Sequence, residues 1–334
     1  MKIPCYICGL GSYVPSHSVT NGDMEKLVQT SDEWIVSRTG IRERHFLAEG
    51  EQVSDAGAAA ARAALEDARL SPDAVTHVFV ATCTPEYLSP STACVIAGKL
   101  GLPSSSGRGA AVMCLDFNAA CTGFVYGLEL ARSVLQGSPE AVVLLIAAEA
   151  LSRRMNFADR STCVLFGDAA GAVALRSCPE GGLWEVRDVT CASDGSLCEL
   201  IKIGGGTARS VAEGDVLGPD FFISMQGQAV FRHAVRSMTE ESQHILERNG
   251  LGVDDVELFI PHQANLRIIQ AVGERLGLEP AKVFVNLANY GNTSAATLPL
   301  AMCDARKEGV LRPGMKVLLT SFGGGMTWGS VLLT

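Results

Sequence analysis

Phe117-Asn118-Ala119-Ala120-Cys121-Thr122-Gly123-Phe124-Val125-Tyr126-Gly127-Leu128 is the stretch on which the reading of this chain turns. The apolar, strand-like run from Val112 to Phe117 leads into it. A helical pattern through Leu130, Ala131, Val134 and Leu135 follows and stops at Gly137-Ser138-Pro139. Cys121 therefore belongs near the first turn of a helix, where unpaired backbone N–H groups and the helix dipole favour negative charge. That setting predicts a depressed thiol pKa and a nucleophilic thiolate. Gly123, Gly127 and Ala131 recur every four residues and make one helix face small enough for another backbone to approach. Until Glu129 the helix is apolar nearly all round, the pattern of a buried helix. By itself the stretch more readily fits a core cysteine in a core helix.

The whole chain narrows the choice. Its 334 residues suffice for one large core or two ordinary domains. With 47% hydrophobic and 19% charged residues, the composition is that of a globular protein. A net charge of −9 without any basic block disfavours nucleic acid and anionic membrane as partners. The longest uncharged apolar run, Ala141 to Ala148, is far too short to span a bilayer. Ile3 to Leu10 carries Pro4 and Gly9 and reads as a first strand rather than a signal segment. Eleven cysteines, an odd number without framework spacing, point to reduced thiols in a cytoplasmic protein. Cys5 and Cys8 lack the second pair that a zinc site requires.

Strands and helices alternate along the chain, which predicts a mainly parallel sheet covered on its faces. The expected strands include His77–Cys83, Ala141–Ala148, Cys163–Arg176, Val256–Ile260, Val283–Leu287 and Lys316–Thr320; helices are expected over Val53–Ala68 and Ser91–Leu100. Gly9-Leu10-Gly11 lacks the third glycine of a dinucleotide fingerprint. Trp34, Arg38 and Arg42 fall four apart on a predicted helix, an arrangement suited to an aromatic or phosphate-bearing ligand or to plain surface cation–π pairs. Strand, helix, strand, Cys121 and helix in the first half match strand, helix, strand, Asn292 and helix in the second. The expectation is an internal duplication, residues 1–177 and 178–334, in which Cys121 and Asn292 hold equivalent places. Ligands gather beyond the carboxyl ends of strands in such sheets, and Cys121, His262 and Asn292 all follow such ends. A nucleophile, an imidazole, an amide donor and the flexible Gly323-Gly324-Gly325 backbone together make a catalytic constellation, whereas each alone has a structural explanation.

These residues lie in specific motifs: Thr30-Ser31-Asp32-Glu33-Trp34-Ile35-Val36, with Arg38-Thr39-Gly40-Ile41-Arg42 after it; Ala120-Cys121-Thr122-Gly123-Phe124; Phe166-Gly167-Asp168; Pro261-His262-Gln263-Ala264-Asn265-Leu266-Arg267; Gly291-Asn292-Thr293-Ser294-Ala295-Ala296; and Phe322-Gly323-Gly324-Gly325 with Thr327-Trp328-Gly329. Over essentially the whole chain they resemble the beta-ketoacyl-acyl-carrier-protein synthase III family, the initiating condensing enzymes of the thiolase-like superfamily. The resemblance implies a five-layered α/β/α/β/α fold, a homodimer and a Cys121–His262–Asn292 triad. Elongating synthases use two histidines, whereas the second place here is Asn292. Thiolases carry a second cysteine in the C-terminal glycine-rich segment, and Thr320 to Gly329 has none.

The same resemblance implies acyl-CoA and malonyl-acyl-carrier protein as substrates, with no metal or redox cofactor. It assigns the oxyanion hole to the backbone N–H groups of Cys121 and Gly324, and Phe322 to the apolar surface beside the departing carboxylate. Trp34 and Arg160 are expected to sandwich the CoA adenine, while Thr30, Arg38, Gly227, Phe231, Ala264 and Asn265 line the pantetheine path. Arg232, Arg267 and Arg275 are candidates for docking the acidic carrier protein, although Glu274 departs from a basic family pattern. Cys83 and Ser89 are expected in the primer pocket. Ser89 stands where many members have a bulky aromatic, with Tyr87 and Leu88 able to fill the same space. The Ser104 to Met113 region is longer than usual. Rival readings are a condensing enzyme or acyltransferase of secondary metabolism, a cysteine hydrolase, and an inactive binding subunit.

Overall fold

The computed structural model describes residues 3–103, 111–205 and 218–334; most of the long Ser104 to Met113 region lies outside them. Nine strands form one hydrogen-bonded sheet in the order Leu258–Pro261, Val317–Gly323, Thr327–Leu333, Trp184–Ser193, Tyr6–Tyr13, Ala169–Arg176, Val143–Glu149, His77–Ala81, Met113–Phe117. The sheet consists of two copies of one pattern. Tyr6–Tyr13 pairs antiparallel with Ala169–Arg176, which pairs antiparallel with Val143–Glu149; His77–Ala81 and Met113–Phe117 then add in parallel. Trp184–Ser193, Thr327–Leu333, Val317–Gly323 and Leu258–Pro261 repeat that order and polarity, and a lone parallel bridge from Phe259 to Val283 stands for the fifth strand. The halves join through a short antiparallel pairing of Tyr6 with Glu185 and Ile7 with Trp184.

Alternation within the strands generates the layers. Val143 and Leu145 face a central core with Phe124, Leu128, Leu298 and Met302, whereas Leu144 and Ile146 face an outer core with Ala60, Ala64 and Ile96. In the second half Val317 and Leu319 face the central core, and Leu318 faces a third core with Val235, Met238 and Val272. Side chains alternate at period two along a strand, so both faces of Val143–Glu149 and Val317–Gly323 are buried, as in strands whose runs read as continuously apolar. The five layers are therefore Val53–Asp67 with Thr92–Leu100, the first half-sheet, the buried helices Gly123–Gly137 and Thr297–Lys307, the second half-sheet, and Gly227–Arg248 with Leu266–Leu276. Among the described residues no helix is long and apolar enough to cross a membrane.

Gly9 and Gly11 have a packing role. A Cβ on Gly11 would lie 2.1 Å from the Ala60 carbonyl oxygen, and one on Gly9 2.3 Å from that of Ala64. The alanine-rich helix Val53–Asp67 thus rests directly on the first strand. Gly123 meets Ala81 and Ala295, while Gly127 receives the Leu145 side chain, so the small helix face is filled by the sheet and by the start of the other buried helix.

The internal equivalence differs from the sequence expectation by three residues. A 3₁₀ turn, Ala120–Thr122, precedes the helix beginning at Gly123, and a matching turn, Ser294–Ala296, precedes the helix beginning at Thr297. Ala120 and Ser294, the first residues of these turns, both have positive φ, 46° and 53°. The Asn118 side-chain oxygen accepts from the Ala120 N–H at 2.9 Å, and that of Asn292 accepts from the Ser294 N–H at 2.8 Å. Asn292 is thus the counterpart of Asn118, and Cys121 is the counterpart of Ala295. Helix ends, on which the sequence comparison relied, are set by where packing stops and differ between the halves.

Other boundaries shift for local reasons. Asp159 caps a short helix, Arg160–Cys163, so the strand expected from Cys163 begins only at Ala169. Val283 makes only its bridge, and Leu287–Tyr290 is helical. The helix Asp32–Thr39 ends at Gly40 with φ 83°, which leaves Arg42 off the face that carries Trp34 and Arg38.

Candidate active site

Cys121 is held from the opposite half of the molecule. The Ser321 hydroxyl donates to the Cys121 carbonyl at 2.8 Å, the Thr327 hydroxyl to the Ala119 carbonyl at 3.0 Å, and the Thr122 hydroxyl to the Thr327 carbonyl at 3.2 Å. Gly323 admits this contact because it lacks a side chain; a Cβ there would lie 2.7 Å from the Cys121 nitrogen. Among the described residues neither the Cys121 nor the Gly324 backbone N–H donates to another backbone group. Two free N–H groups on adjoining loops beside a thiol form the kind of donor pair an oxyanion requires.

The thiol itself departs from expectation. Cys121 keeps part of its surface accessible, yet burial of the sulfur pushes its pKa up to about 12, with the neighbouring Ser294 side chain working against the rise and the Glu149 carboxyl adding to it. Desolvation disfavours the charged form and here outweighs the helix dipole. The cysteine also sits in the 3₁₀ turn ahead of the helix rather than in its first turn. Free enzyme therefore holds Cys121 as the neutral thiol. The expected result is that iodoacetamide labelling of Cys121, followed by peptide mass, rises about tenfold per pH unit from 7 to 10. A plateau near pH 7 would contradict this burial argument.

His262 follows the strand Leu258–Pro261. Its N–H donates to the Thr320 carbonyl at 2.8 Å, and its Nδ1 lies 2.6 Å from the Thr297 hydroxyl. Burial pushes its pKa down to about 3, so the ring is neutral throughout the physiological range. Asn292 is fixed by its backbone: its N–H donates to the Leu165 carbonyl at 2.8 Å and its carbonyl accepts from Gly167 at 3.1 Å. Because its Oδ1 accepts the Ser294 N–H, its Nδ2 is left as the donor end. The segment 292–297 thus gathers the site. It contains Asn292, sets Ser294 beside Cys121, and presents Thr297 to His262. Phe322, buried at the end of its strand, stands one residue before Gly323.

Residues that sequence reasoning missed are Ser294, Thr297 and Glu149. Ser294 lies inside the Gly291–Ala296 motif and Thr297 directly follows it, but nothing in their spacing shows which side chains they meet. Glu149 ends an apolar strand, fully buried, and accepts from the Thr84 hydroxyl at 2.6 Å and the Cys83 N–H at 3.1 Å. Cys83 in turn brings its sulfur to 4.0 Å from the Ser294 hydroxyl. Ser89, by contrast, is exposed beside Tyr87 and Leu88, whereas Cys83 is half-buried.

A second set of candidates converges on one side. Asn265 caps the helix Leu266–Leu276 and donates through Nδ2 to the Arg38 carbonyl at 3.1 Å, which ties Ala264 and Asn265 to the helix bearing Trp34. Among the described residues the Thr30 hydroxyl, buried there, has no hydrogen-bond partner. The Arg160 guanidinium lies 4.8 Å from the Trp34 ring centre. A base between them needs a gap of about 7 Å, two van der Waals contacts, so in this state the pair is closed. Gly227 starts the helix Gly227–Arg248, on which Phe231 meets the Arg267 guanidinium at 5.8 Å. Arg232, Arg267 and Arg275 are exposed on these two adjoining helices, and so is Glu274.

A half-buried cysteine, a neutral histidine and an oriented amide beyond the strand ends of a duplicated five-layer α/β fold define a thiolase-like condensing enzyme. Residues 115–195 match the family model "3-Oxoacyl-[acyl-carrier-protein (ACP)] synthase III", and residues 246–334 match its C-terminal companion. The chain is 58% identical over 331 residues to the beta-ketoacyl-[acyl-carrier-protein] synthase III of Nitratidesulfovibrio vulgaris Miyazaki F, covering 99% of this chain and 98% of that one. It is 41% identical to the Clostridium acetobutylicum protein of the same name, covering 98% and 97%. The crystal structure of 3-oxoacyl-[acyl-carrier-protein] synthase III from Aquifex aeolicus superposes with a TM-score of 0.87 at 42% identity, covering 98% and 99%. This chain belongs to the beta-ketoacyl-acyl-carrier-protein synthase III family. It is an acyltransferase of the condensing type that initiates fatty acid synthesis.

Proposed function

We propose that Cys121 carries the primer, that His262 and Asn292 hold the extender, and that the substrates are an acyl-CoA and malonyl-acyl-carrier protein. The Cys121 sulfur attacks the acyl-CoA carbonyl, the carbon–sulfur bond to CoA breaks, and the thiol proton leaves on CoA. The free N–H groups of Cys121 and Gly324 receive the oxyanion; loss of one such donor typically costs about 3–4 kcal/mol. Malonyl-carrier protein then loses carbon dioxide. Its enolate oxygen accepts from His262 and from Asn292 Nδ2, beside the apolar Phe322 ring. The enolate carbon attacks the acyl-Cys121 carbonyl, and the departing thiolate takes up one proton from solvent. The observation that carries this reading is the segment 292–297, which anchors the amide, the imidazole and the thiol surroundings together.

Adenine stacking requires Arg160 to lift from Trp34, and the unpartnered Thr30 hydroxyl is available to a polar group of the same ligand. Arg232, Arg267 and Arg275 supply the rim charge that speeds encounter with an acidic carrier protein. Halves 1–177 and 178–334 act as the duplicated units, as their matching strand order supports, and the enzyme works in the cytoplasm. The test is intact-mass detection of acyl transfer to Cys121 from an acyl-CoA panel of two to twelve carbons. Each loaded enzyme is then given malonyl-carrier protein, and carbon dioxide and 3-oxoacyl product are measured. Transfer without carbon dioxide release would exclude a condensing role. The priming ketosynthase of the R1128 polyketide pathway, 32% identical with TM-score 0.87, keeps a specialised pathway as the second reading, and primer preference in the same panel separates the two.

The working unit is a homodimer in this reading. Met113–Phe117 is the outermost strand, and among the described residues nothing pairs with its outer edge. Met113 is 52% exposed, and Leu88, in the segment ahead of the helix Thr92–Leu100, is 88% exposed. An unprotected apolar edge is a template for strand addition, and a second copy would bring its Leu88–Ser89 segment to this site. Sedimentation should give twice the chain mass, with Leu115→Lys shifting it towards the monomer. A wild-type monomer at micromolar concentration would overturn the assignment.

A further inference from the structure

Among the described residues Arg44 is the only lysine or arginine with no exposed surface. It lies in the short strand Glu43–Phe46, paired antiparallel with His17–Thr20. Burial pushes its pKa down to about 10, so the guanidinium stays a cation at neutral pH. Its described hydrogen-bond partners are all uncharged oxygens. Nη2 donates to the Val164 carbonyl at 2.8 Å, and Nη1 donates to the Asn21 Oδ1 at 2.8 Å and to the Val19 carbonyl at 3.2 Å. Nε has no partner among the described residues. A buried charge without a counter-ion is costly, and apolar side chains of similar volume often replace buried charges without loss of stability. Stability alone therefore gives no reason for an arginine at this position.

The groups that the guanidinium holds supply one. Asn292 is bonded to the segment that follows Val164: its N–H donates to the Leu165 carbonyl, its carbonyl accepts from Gly167, and Phe166 forms the bridge between them. The Arg44 stem lies against both flanks of this pairing. A Cβ on Gly167 would stand 3.1 Å from the Arg44 Cβ, and one on Gly291 3.4 Å from it. On the far side Asn21, itself buried, donates through Nδ2 to the Ile41 carbonyl at 2.8 Å and to the Asp32 Oδ1 at 2.7 Å. One rigid planar group thus reaches from a fixed amide to the carbonyl immediately ahead of the Asn292 anchor.

We propose that Arg44 is a positioning residue for Asn292, fixing the Val164–Gly167 segment and through it the direction of the Asn292 Nδ2. This rests on Asn292 holding the extender as described above. Cys121 lies outside this chain of contacts, because its turn is tied to Ser321 and Thr327. Loss of Arg44 therefore falls on the extender step and spares acyl loading. Lysine does not substitute, because one ammonium nitrogen cannot take the places of two guanidinium nitrogens at once.

Arg44→Met keeps most of the side-chain length and removes the donors. Malonyl-carrier-protein decarboxylation without primer should fall at least about tenfold, part of the roughly 100-fold that a misplacement of about 1 Å costs. Acyl loading of Cys121 at saturating acyl-CoA should stay within about twofold, because no transition-state contact of that step is removed. In spectra of enzyme labelled with nitrogen-15 asparagine, the Asn292 side-chain amide, assigned by its loss in Asn292→Asp, should shift in Arg44→Met and in Arg44→Lys. Unchanged decarboxylation in Arg44→Met overturns the proposal, as does loading that falls in parallel or an Asn292 amide signal that does not move. Should the methionine variant fail to fold, Arg44→Lys decides by the same three readouts, and decarboxylation at the wild-type rate there overturns the proposal. An Asn292→Ala enzyme that decarboxylates at the wild-type rate would instead remove the role of Asn292 on which the proposal is built.

Discussion

Cys121→Ala should show no acyl adduct by intact mass after incubation with any acyl-CoA, and condensation should fall by at least about 10⁴-fold, the scale on which removal of a nucleophile is felt. The same variant should still release carbon dioxide from malonyl-carrier protein. The reason is structural. Asn292 is anchored to Leu165, Gly167 and Ser294, and His262 to Thr320 and Thr297; none of these bonds passes through the cysteine. The substitution removes one sulfur from a half-buried position, a loss of about 1 kcal/mol at most in stability, so inactivity will not reflect unfolding. Loss of decarboxylation together with condensation would mean that extender binding depends on Cys121, and the division of labour in the site would need revision.

Gly323→Ala should be nearly as damaging by a different route. The added carbon would lie 2.7 Å from the Cys121 nitrogen, 3.2 Å from its Cβ and 3.2 Å from the Thr122 nitrogen. Neither side yields easily. Gly323 ends a strand paired to Thr327, and the nucleophile turn is tied across by Ser321 and Thr327. Overpacking of this kind costs about 1–3 kcal/mol. Displacement of the sulfur and of the free Cys121 N–H should lower acyl transfer at least about 100-fold, because misplacement by about 1 Å has that effect. Gly98→Ala is the control: among the described residues no atom lies within 4 Å of its added carbon, and its helix tolerates alanine. Its activity should be unchanged. If Gly323→Ala retained full acyl loading with an unaltered melting temperature, the close approach of the two loops would carry no functional weight.

Much of the architecture could be read along the chain because its signals are local. Continuous apolar runs such as Val143–Glu149, and stops such as Gly101 and Gly277 with left-handed φ, mark elements without reference to the rest of the molecule. The motif residues were legible as residue types. Their relations were not. The equivalence of Asn118 with Asn292 rests on two side-chain caps and two positive φ values, and helix length gave a register displaced by three residues. Arg160 sits on Trp34 itself, so the expected sandwich is a gap that must open.

Taken alone, the amino-acid sequence determined which segments become strands and helices, that two similar halves exist, and which side chains can supply a nucleophile, a donor amide and an imidazole. Only the tertiary structure decided that the thiol is neutral, that Asn292 turns its nitrogen outward, and that Thr297 meets His262. These properties depend on desolvation and on hydrogen bonds between groups far apart in the chain, 200 residues in the case of Ser321 and Cys121. Local order along a polypeptide carries no record of that proximity, whereas packing of five layers creates it.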